Sequence, residues 1–357
     1  MSLKFVIMAG GTGGHVYPAL AVAQELRARG HEVRWMGAPD SFEARIVPRS
    51  GFNIDFIRVS GLRGKGFSKL LQAPRLIVRA VLDARAILRR EQPHAVLGMG
   101  GFAAGPGGIA AWLAGLPLVI HEQNAVAGLT NRALAKLARV VLQAFPNTFA
   151  GGRTVGNPVR AGFAELRPPA QRLAHDGAPR LLVIGGSQGA RALNENVPKA
   201  LALLPAGERP QVRHQGGRTL DAALAAYREA GIDGEVTAFI DDMPGAFAWA
   251  DLVVCRAGAS TIAEVGAAGN ATVLVPFPAA VDDHQTKNAQ YLVEAGAAVL
   301  LPESGMTPQT LAATIRGLLA DRAGLTKMAE AARSRSWRGA APAIANACIA
   351  AASGVTP

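Results

Sequence analysis

Short apolar runs and longer helical patterns alternate along the whole chain. The runs KFVIMA, EVRWMG, AVLGMG, PLVIHE and VVLQAF predict buried strands, and stretches such as PALAVAQELRARG carry apolar residues at helical spacing. Strands separated by helices build parallel β-α-β units, in which the helices cover the faces of the sheet. The pattern therefore predicts an α/β fold.

The second half of the chain begins again in the same way as the first. RLLVIGGSQGARALNENV repeats the strand, glycine loop and helix of KFVIMAGGTGGHVYPALAV, and Gly186 follows Gly11 by 175 positions. The 357 residues also exceed the roughly 250–300 at which one hydrophobic core stops growing. We therefore predict two tandem Rossmann-like domains that face each other across a cleft.

A Gly/Asn/Pro cluster at 151–160 interrupts the alternation and marks the expected boundary. We accordingly assign 1–157 to the first domain and 158–339 to the second. The sequence does not show the partner of the weakly amphipathic helix at about 340–357, which could pack back on the first domain.

Charge divides unevenly between the two halves. Residues 1–160 hold 20 Lys/Arg and 8 Asp/Glu, a net charge of +12, whereas 161–357 hold 17 and 18, a net charge of −1. Nine Lys/Arg and a single acid, Asp83, lie within 58–90 among apolar residues at helical spacing. This segment suits an anionic membrane surface, which attracts each basic residue by about 1 kcal/mol. The alternative is a core-facing helix with a solvated basic face.

Other classes of protein find little support. Cys255 and Cys348 provide neither a disulfide framework nor zinc spacing, which favours a reducing compartment, and the N-terminal apolar run is too short for a signal peptide. The charge-free stretch 95–120 has the length of a membrane span, but its seven glycines and two prolines favour strand, glycine loop, short helix and strand. Without HExxH, CxxC or Asp-x-Asp pairs we expect no resident metal, and we expect Asp241-Asp242 and Asp282-Asp283 to cap helices or face solvent.

The glycine loop GGTGGHVYP ends the first strand. A dinucleotide fingerprint read from Gly11 places Val16 where the third glycine belongs, and Gly37 stands where the acidic ribose ligand is expected. The loop instead carries His15, at the sheet edge where active sites of open α/β sheets form. A histidine there can accept a proton at neutral pH, although a loop histidine bonded to local backbone is the alternative.

Two further glycine loops follow predicted strands. GMGGFAAGPGG, 98–108, offers room for a bulky or phosphorylated group, with close helix packing as the alternative. GGSQGAR, 185–191, offers Ser187 and backbone N–H groups to an anion, with a plain tight turn as the alternative.

Two polar segments also come at strand ends. In HEQN, Glu122 and Asn124 are candidates for acid/base and hydrogen-bonding roles, or the segment is a structural turn. In RAGASTIAEVGAAG, Thr261 and Glu264 fit a capping box at a helix start near Ser260, although Glu264 could instead accept hydrogen bonds from a ribose diol.

Seven segments taken together, from GGTGGHVYP to DDHQTKNA, closely resemble the MurG family of GT-B glycosyltransferases. The others are MGGFAAGPGG, HEQNAVAGLTNR, GNPVR, GGSQGAR and RAGASTIAE, which keep the family's order as far as about Gln290. The resemblance implies inverting transfer of GlcNAc from UDP-GlcNAc to the MurNAc C4 hydroxyl of lipid I, which gives lipid II for peptidoglycan synthesis. It also implies a peripheral protein on the cytoplasmic face of the bacterial inner membrane, with no required cofactor, although the sequence leaves assistance by a divalent ion open.

The resemblance also assigns roles to residues. His15 is the first choice for the base and Glu122 the second; Arg160 and Ser187 would lie near the diphosphate, and Ile240 would meet the uracil through its backbone. The remaining substrate-binding candidates are Thr12, Gly13, Gly14 and Asn124 for the donor, Ala259, Ser260, Thr261, Ile262, Ala263 and Glu264 around the nucleotide, with Glu264 on the ribose, and Gln285 on the GlcNAc hydroxyls. RAGAST, where Ser-Gly-Ala is more usual, and Asp283-His284 before Gln285 depart from the family pattern.

Two other functions stay open at this point. Another GT-B enzyme, such as a soluble natural-product glycosyltransferase or a UDP-GlcNAc 2-epimerase, would not need the basic apolar segment 58–90, which Trp112, Lys136 and Arg139 are expected to extend. A non-enzymatic nucleic-acid or membrane binder would leave the paired glycine loops and HEQN without a role. We therefore expect UDP-GlcNAc, lipid I and an anionic membrane surface as partners, and no nucleic acid.

Overall fold

The computed structural model describes residues 2–59, 67–186 and 188–355, and for the helix at 67–91 it describes side chains from residue 74 onward. The chain divides into two compact units. Unit 1 consists of Met1–Arg160 and Arg338–Pro357, and unit 2 of Ala161–Trp337. Strands and helices alternate in both units, which confirms the predicted α/β class.

Unit 1 is built on a parallel sheet of seven strands. The strands are β1 (Lys4–Met8), β2 (Glu32–Gly37), β3 (Asn53–Phe56), β4 (Ala95–Gly98), β5 (Leu118–Glu122), β6 (Val140–Gln143) and β7 (Arg153–Thr154), in the spatial order β3-β2-β1-β4-β5-β6-β7. The helices are α1 (Gly13–Ala28), α2 (Phe42–Arg49), α3 (Phe67–Glu91), α4 (Ala104–Leu113) and α5 (Leu129–Leu134). Separate apolar clusters on the two faces of the sheet explain why the central strands read as continuous apolar runs.

Unit 2 repeats the plan with six parallel strands. They are β8 (Arg180–Ile184), β9 (Gln211–Gln215), β10 (Glu235–Thr237), β11 (Leu252–Cys255), β12 (Ala271–Leu274) and β13 (Ala298–Leu300), in the order β10-β9-β8-β11-β12-β13. The helices are α6 (Pro169–Leu173), α7 (Arg191–Ala202), α8 (Leu220–Ala230), α9 (Met243–Trp249), α10 (Ala259–Ala268), α11 (His284–Val293), α12 (Pro308–Ala320) and α13 (Arg322–Ser334).

Strand order reverses beside the first strand of each sheet. β1 pairs with β2 on one side and β4 on the other, and β8 pairs with β9 and β11. Ligands of open α/β sheets bind at such a reversal, outside the carboxyl ends of the strands. The two glycine loops follow β1 and β8, so each lies at the reversal of its own sheet.

The last helix, α14 (Ala340–Ala352), belongs to the core of unit 1. It packs on α1 and on β4, β5 and β6, and its apolar side, which includes Ile344 and Cys348, is fully buried. Its sequence is mostly alanine, and such small side chains allow a close approach to the neighbouring helix.

The charge-free stretch 95–120 folds as β4, a glycine-containing turn, α4 and the first part of β5, which confirms its interpretation as strand, loop, short helix and strand. Some glycines here are required by packing, since a Cβ on Gly108 would lie 2.6 Å from Leu134 Cδ2. Among the helices of the described chain, none combines the length and apolar character needed to cross a bilayer.

Candidate active site

His15 lies in the first turn of α1, which begins directly at the glycine loop. Its backbone N–H donates to Thr12 O at 3.2 Å, and its ring packs against the glycine loop at 98–108. Gly100 there has φ +89°, and a Cβ would lie 3.0 Å from His15 Cε1. The turn at 100–101 can therefore approach the histidine because it carries glycine, which is the only residue that adopts this backbone and leaves the space open.

Gln123 is a neighbour of His15 that the sequence did not single out. Its Oε1 lies 2.9 Å from His15 Nδ1, and its Nε2 donates to Met99 O at 3.0 Å and to His121 O at 3.3 Å. The side chain is fully buried between α1 and the end of β5. The glutamine of HEQN thus contacts His15, although the two residues are 108 positions apart in the sequence.

Glu122 points into its own loop. The carboxylate accepts hydrogen bonds from Asn124 N at 3.0 Å, Asn124 Nδ2 at 3.2 Å, Gly128 N at 3.1 Å and Asn131 Nδ2 at 2.8 Å. With 2% of its surface exposed, it is committed to holding the turn that leads into α5. These contacts match the structural-turn alternative for HEQN, and they fix Asn124 beside Gln123.

The other candidates of unit 1 lie around the first turn of α1. Thr12 is the N-cap residue, without a side-chain capping bond, and Gly13 and Gly14 open the helix. The guanidinium carbon of Arg160 lies 5.4 Å from the centre of the ring of Tyr17, which is a residue of α1. The structure thus gathers His15, Thr12, Gly13, Gly14, Asn124 and Arg160 near one end of the sheet.

A buried carboxylate accepts a hydrogen bond from the first glycine loop on the side that faces the protein interior. Glu43 on α2 accepts from Gly11 N at 3.0 Å and from Ala38 N at 3.2 Å, and it is 2% exposed. A Cβ on Gly37 would lie 2.8 Å from Glu43 Cγ. Glu43 therefore explains the glycine at the position where a dinucleotide-binding strand carries an acid, and it was missed because it comes from the next helix.

In unit 2, Gln285 lies in the first turn of α11 and ties two loops together. Its Oε1 accepts from Ala257 N at 3.2 Å and from Phe277 N at 2.9 Å. The amide oxygen is therefore engaged by backbone, and the amide nitrogen is the end that can donate to a ligand.

The helix α10 begins at Ala259, and its N-cap residue is Gly258, without a side-chain capping bond. Thr261 is therefore inside the helix, and of the two interpretations left open for this segment the capping box of Thr261 and Glu264 is not the one found. Glu264 is 7% exposed, and its charge adds to the burial that raises the pKa of the Cys255 thiol at the end of β11. Ala259, Ser260, Thr261, Ile262, Ala263 and Glu264 form the first two turns of this helix.

The second glycine loop leaves β8, and its Ser187 lies outside the described residues. A Cβ on Gly217 would lie 2.5 Å from Gly186 O and Gly189 N, so the turn after β9 fits closely under the loop. Asn194 supports that turn by donating from Nδ2 to Gly216 O at 3.0 Å.

A buried histidine completes this support. His214 Nε2 lies 2.9 Å from Asn194 Oδ1, and His214 Nδ1 lies 3.1 Å from the Tyr227 hydroxyl. Burial lowers the pKa of His214 to about 3, so its ring is neutral. No local pattern in the sequence indicates this network, because its members lie on three different elements, α7, β9 and α8.

Ile240 lines a cavity of about 330 Å³ beside β9, β10 and the start of α9. Arg213 and Glu235 also line this cavity, and they form an ion pair at 2.9 Å. Asp242 caps α9 by accepting from Gly245 N at 2.9 Å, which confirms the capping prediction for that residue. Asp283 Oδ1 accepts from the Thr286 hydroxyl at 2.7 Å at the start of α11.

Two parallel α/β units, each with a glycine loop at its strand-order reversal, are the architecture of the GT-B glycosyltransferases. The calicheamicin glycosyltransferase CalG4 has this fold, with a TM-score of 0.70, 19% identity and full coverage of both chains. Residues 5–143 match the glycosyltransferase family 28 N-terminal domain and 180–342 its C-terminal domain. The chain therefore belongs to glycosyltransferase family 28, and it is an enzyme of the hexosyltransferase type.

Relatives of known name cover nearly the whole chain. The Nitrosococcus oceani and Marinobacter nauticus proteins are 54% and 53% identical over 99% and 98% of this chain, and over 100% and 98% of their own lengths. Both are named UDP-N-acetylglucosamine--N-acetylmuramyl-(pentapeptide) pyrophosphoryl-undecaprenol N-acetylglucosamine transferase. The crystal structure of Acinetobacter baumannii MurG has a TM-score of 0.84 and 40% identity over 97% of this chain and 99% of its own. The resemblance to the MurG family is confirmed.

Proposed function

We propose that this protein transfers GlcNAc from UDP-GlcNAc to the C4 hydroxyl of MurNAc in lipid I, with inversion at the anomeric carbon. Identity above 50% over nearly the full length to proteins named for this transfer supports the proposal. Within the structure, the proposal is supported by the contact of 2.9 Å between His15 Nδ1 and Gln123 Oε1. This contact orients an imidazole at the strand-order reversal of unit 1.

In the proposed reaction His15 Nε2 takes the proton of the acceptor hydroxyl. The hydroxyl oxygen forms its bond to the anomeric carbon of GlcNAc while the bond from that carbon to the UDP oxygen breaks, and UDP leaves with the electron pair. Such a displacement needs a base and stabilisation of the leaving diphosphate. Glu122, the second choice for the base, has its carboxylate bonded to four donors, and this favours His15.

The donor is proposed to bind unit 2. Gln285 is held through its oxygen, so its Nε2 would donate to the GlcNAc hydroxyls. Glu264 would accept from the ribose, Ile240 would meet the uracil through its backbone, and the N–H groups of the second glycine loop with Ser187 and Arg160 would meet the diphosphate. The contacts of Ala259 through Ala263 with the nucleotide belong to the same proposal, as do those of Thr12, Gly13, Gly14 and Asn124 with the sugar.

The acceptor is anchored in a membrane, and α3 offers a surface for it. Ala80, Ala84, Ile87 and Leu88 face the core, whereas Val78 and Leu82 are each 58% exposed and Leu76 and Ile77 also face solvent. Arg75 and Arg79 are exposed on the same stretch, and α4, which carries the exposed Trp112, packs on α3. Exposed apolar groups beside cations fit an anionic leaflet. They support peripheral attachment of the protein to the cytoplasmic face of the inner membrane, where the protein would serve cell-wall synthesis.

The reaction is tested by incubating the protein with labelled UDP-GlcNAc and a lipid I analogue. We expect a disaccharide-linked lipid and one UDP released per transfer. Transfer only to water-soluble acceptors would support a natural-product glycosyltransferase instead, and conversion of UDP-GlcNAc to UDP and ManNAc without an acceptor would support a 2-epimerase; either outcome would refute the proposal.

The membrane surface is tested by co-sedimentation with vesicles containing anionic lipid. We expect Leu82→Ser to weaken binding by about tenfold or more, because insertion of a leucine side chain contributes about 1.5–3 kcal/mol. Leu203→Ser is the matched control, since Leu203 is 53% exposed in unit 2. Equal binding of the Leu82→Ser variant and the wild type would exclude α3 as the contact.

A further inference from the structure

Four groups of unit 1 form a hydrogen-bonded row that ends at His15. Gly156 O lies 2.8 Å from His121 Nε2, His121 Nδ1 lies 3.3 Å from Gln123 Nε2, and Gln123 Oε1 lies 2.9 Å from His15 Nδ1. His121 and Gln123 are fully buried, whereas His15 is partly exposed at the site. The row therefore runs from the interior of the unit to the candidate base.

The position of each proton in this row follows from its fixed end. A backbone carbonyl only accepts, so His121 Nε2 carries a hydrogen and donates it to Gly156 O. Burial lowers the pKa of His121 to about 4, so the ring is neutral and its Nδ1 is an acceptor.

The orientation of the Gln123 amide follows in turn. Its nitrogen end faces His121 Nδ1, Met99 O at 3.0 Å and His121 O at 3.3 Å, all of which are acceptors. A reversed amide would place its oxygen against two carbonyl oxygens, which is unfavourable. The oxygen of Gln123 must therefore face His15.

We propose that Gln123 is a positioning residue that holds His15 as the Nδ1–H tautomer and so presents Nε2 as the unprotonated nitrogen at the site. His15 Nδ1 has to donate because Gln123 Oε1 can only accept. A neutral imidazole has one N–H, so the lone pair available to a substrate is on Nε2. The amide performs this task without adding a negative charge beside the ring.

This inference rests on the proposed role of His15 as base, but its first test does not depend on activity. Nitrogen-15 spectra of histidine-labelled wild-type protein at pH 8 separate the two tautomers, and His15→Gln assigns the signal. We expect a protonated Nδ1 and a bare Nε2 at His15. A protonated Nε2 would overturn the proposal even if the enzyme proves fully active as a GlcNAc transferase.

The second test removes the glutamine. For Gln123→Leu we expect a mixture of tautomers at His15 and a kcat at least about tenfold lower, with the KM for UDP-GlcNAc within about twofold, because a base held in the wrong tautomer loses catalysis rather than binding. An unchanged tautomer with an unchanged kcat would overturn the proposal.

Gln143→Leu is the matched control for lost folding stability. Gln143 is also buried, at the end of the neighbouring strand, and it bonds Thr154 and Phe149. We expect this variant to keep the wild-type tautomer at His15, even where its stability falls. If Gln123→Leu disturbs the tautomer while His15→Gln retains full transfer activity, the positioning role stands and the proposed base role fails.

Discussion

The two glycine loops occupy the same place in their sheets and differ in what fills the space beneath them. In unit 1 the N–H of Gly11 donates to the buried carboxylate of Glu43, and the loop leads to His15. In unit 2 the described residues of 185–190 rest on the turn at Gly216 and Gly217, and the N–H groups of Gly185 and Gly189 donate to the backbone carbonyls of Gln215 and Gly186.

The same backbone turn can therefore support two different chemistries, and the carboxylate of Glu43 is one difference between the two loops. The N–H group of Gly11 already donates to a carboxylate and is not available to a phosphate, whereas the N–H groups at the start of a helix form a common anion-binding site. We therefore expect unit 1 to supply the base and unit 2 to bind the nucleotide. Four predictions, in order of decreasing effect, concern this division of roles and the buried groups that support it.

The largest effect is expected for His15→Ala. Loss of the proposed base should lower kcat by about 10²–10⁴-fold, while the affinity for UDP should stay within about twofold because the nucleotide is proposed to bind the other unit. Turnover at saturating donor and titration calorimetry with UDP measure the two quantities. A near wild-type kcat would refute the base assignment.

Acid should destabilise both units through their buried neutral histidines. His121 and His214 have pKa values lowered by burial to about 4 and about 3, so below the ordinary value of 6.5 the unfolded chain binds protons that the folded chain does not. Stability must then fall as the pH falls from 6.5, by about 2 kcal/mol per histidine at pH 5.

Urea unfolding at pH 7 and pH 5 measures this loss, and His214→Gln should remove the share that belongs to unit 2. The carboxylate of Glu91 does not affect this comparison. The Arg34 guanidinium lowers its pKa to about 2, so its contribution to stability is lost only below this pH range. Equal stability at the two pH values would contradict the prediction.

Glu264→Ala is the counterpart of His15→Ala in unit 2. Loss of hydrogen bonds between a carboxylate and the ribose, about 1.5–3 kcal/mol, should raise the KM for UDP-GlcNAc by about 10- to 100-fold and affect kcat less. Steady-state kinetics with each substrate varied in turn separates the two constants. If kcat fell and KM stayed constant, the nucleotide would not be bound by α10.

The smallest effect is expected for Glu43→Gln. One amide oxygen cannot accept from both Gly11 N and Ala38 N in the way that two carboxylate oxygens do, so one N–H loses its partner at a cost of about 1–2 kcal/mol. Thermal unfolding should show the loss, and Glu25→Gln on the exposed side of α1 is a control. Unchanged stability would show that Glu43 is not needed to hold the loop.

The sequence predicted the features of this molecule that are local. The strands, the glycine loops and the restart of the pattern at 180 all depend on spacing along the chain, and each is present in the structure. The spatial order of the strands was not predicted, since spacing does not determine which strands pair.

The supports of the candidate site could not be predicted because their contacts are distant in sequence. Gln123 and His15 are 108 positions apart in the sequence, and Glu43 and Gly11 are 32 apart. No local motif marks Gln123 or Glu43 as a partner of the first glycine loop. Thr261 and Glu264 show the opposite case, since their spacing fits a capping box although the N-cap of the helix is Gly258, three residues before Thr261.

The position of α14 has a consequence for how the protein is made. The face of α1 that contains Val16 and Ala23 is part of the apolar cluster that includes Ile344 and Cys348, and these enter the cluster only when 340–352 have been synthesised. All of unit 2 precedes α14 in the chain and is synthesised before it. Unit 1, although its synthesis begins first, must therefore keep part of its apolar surface uncovered until α14 has been made and has emerged from the ribosome.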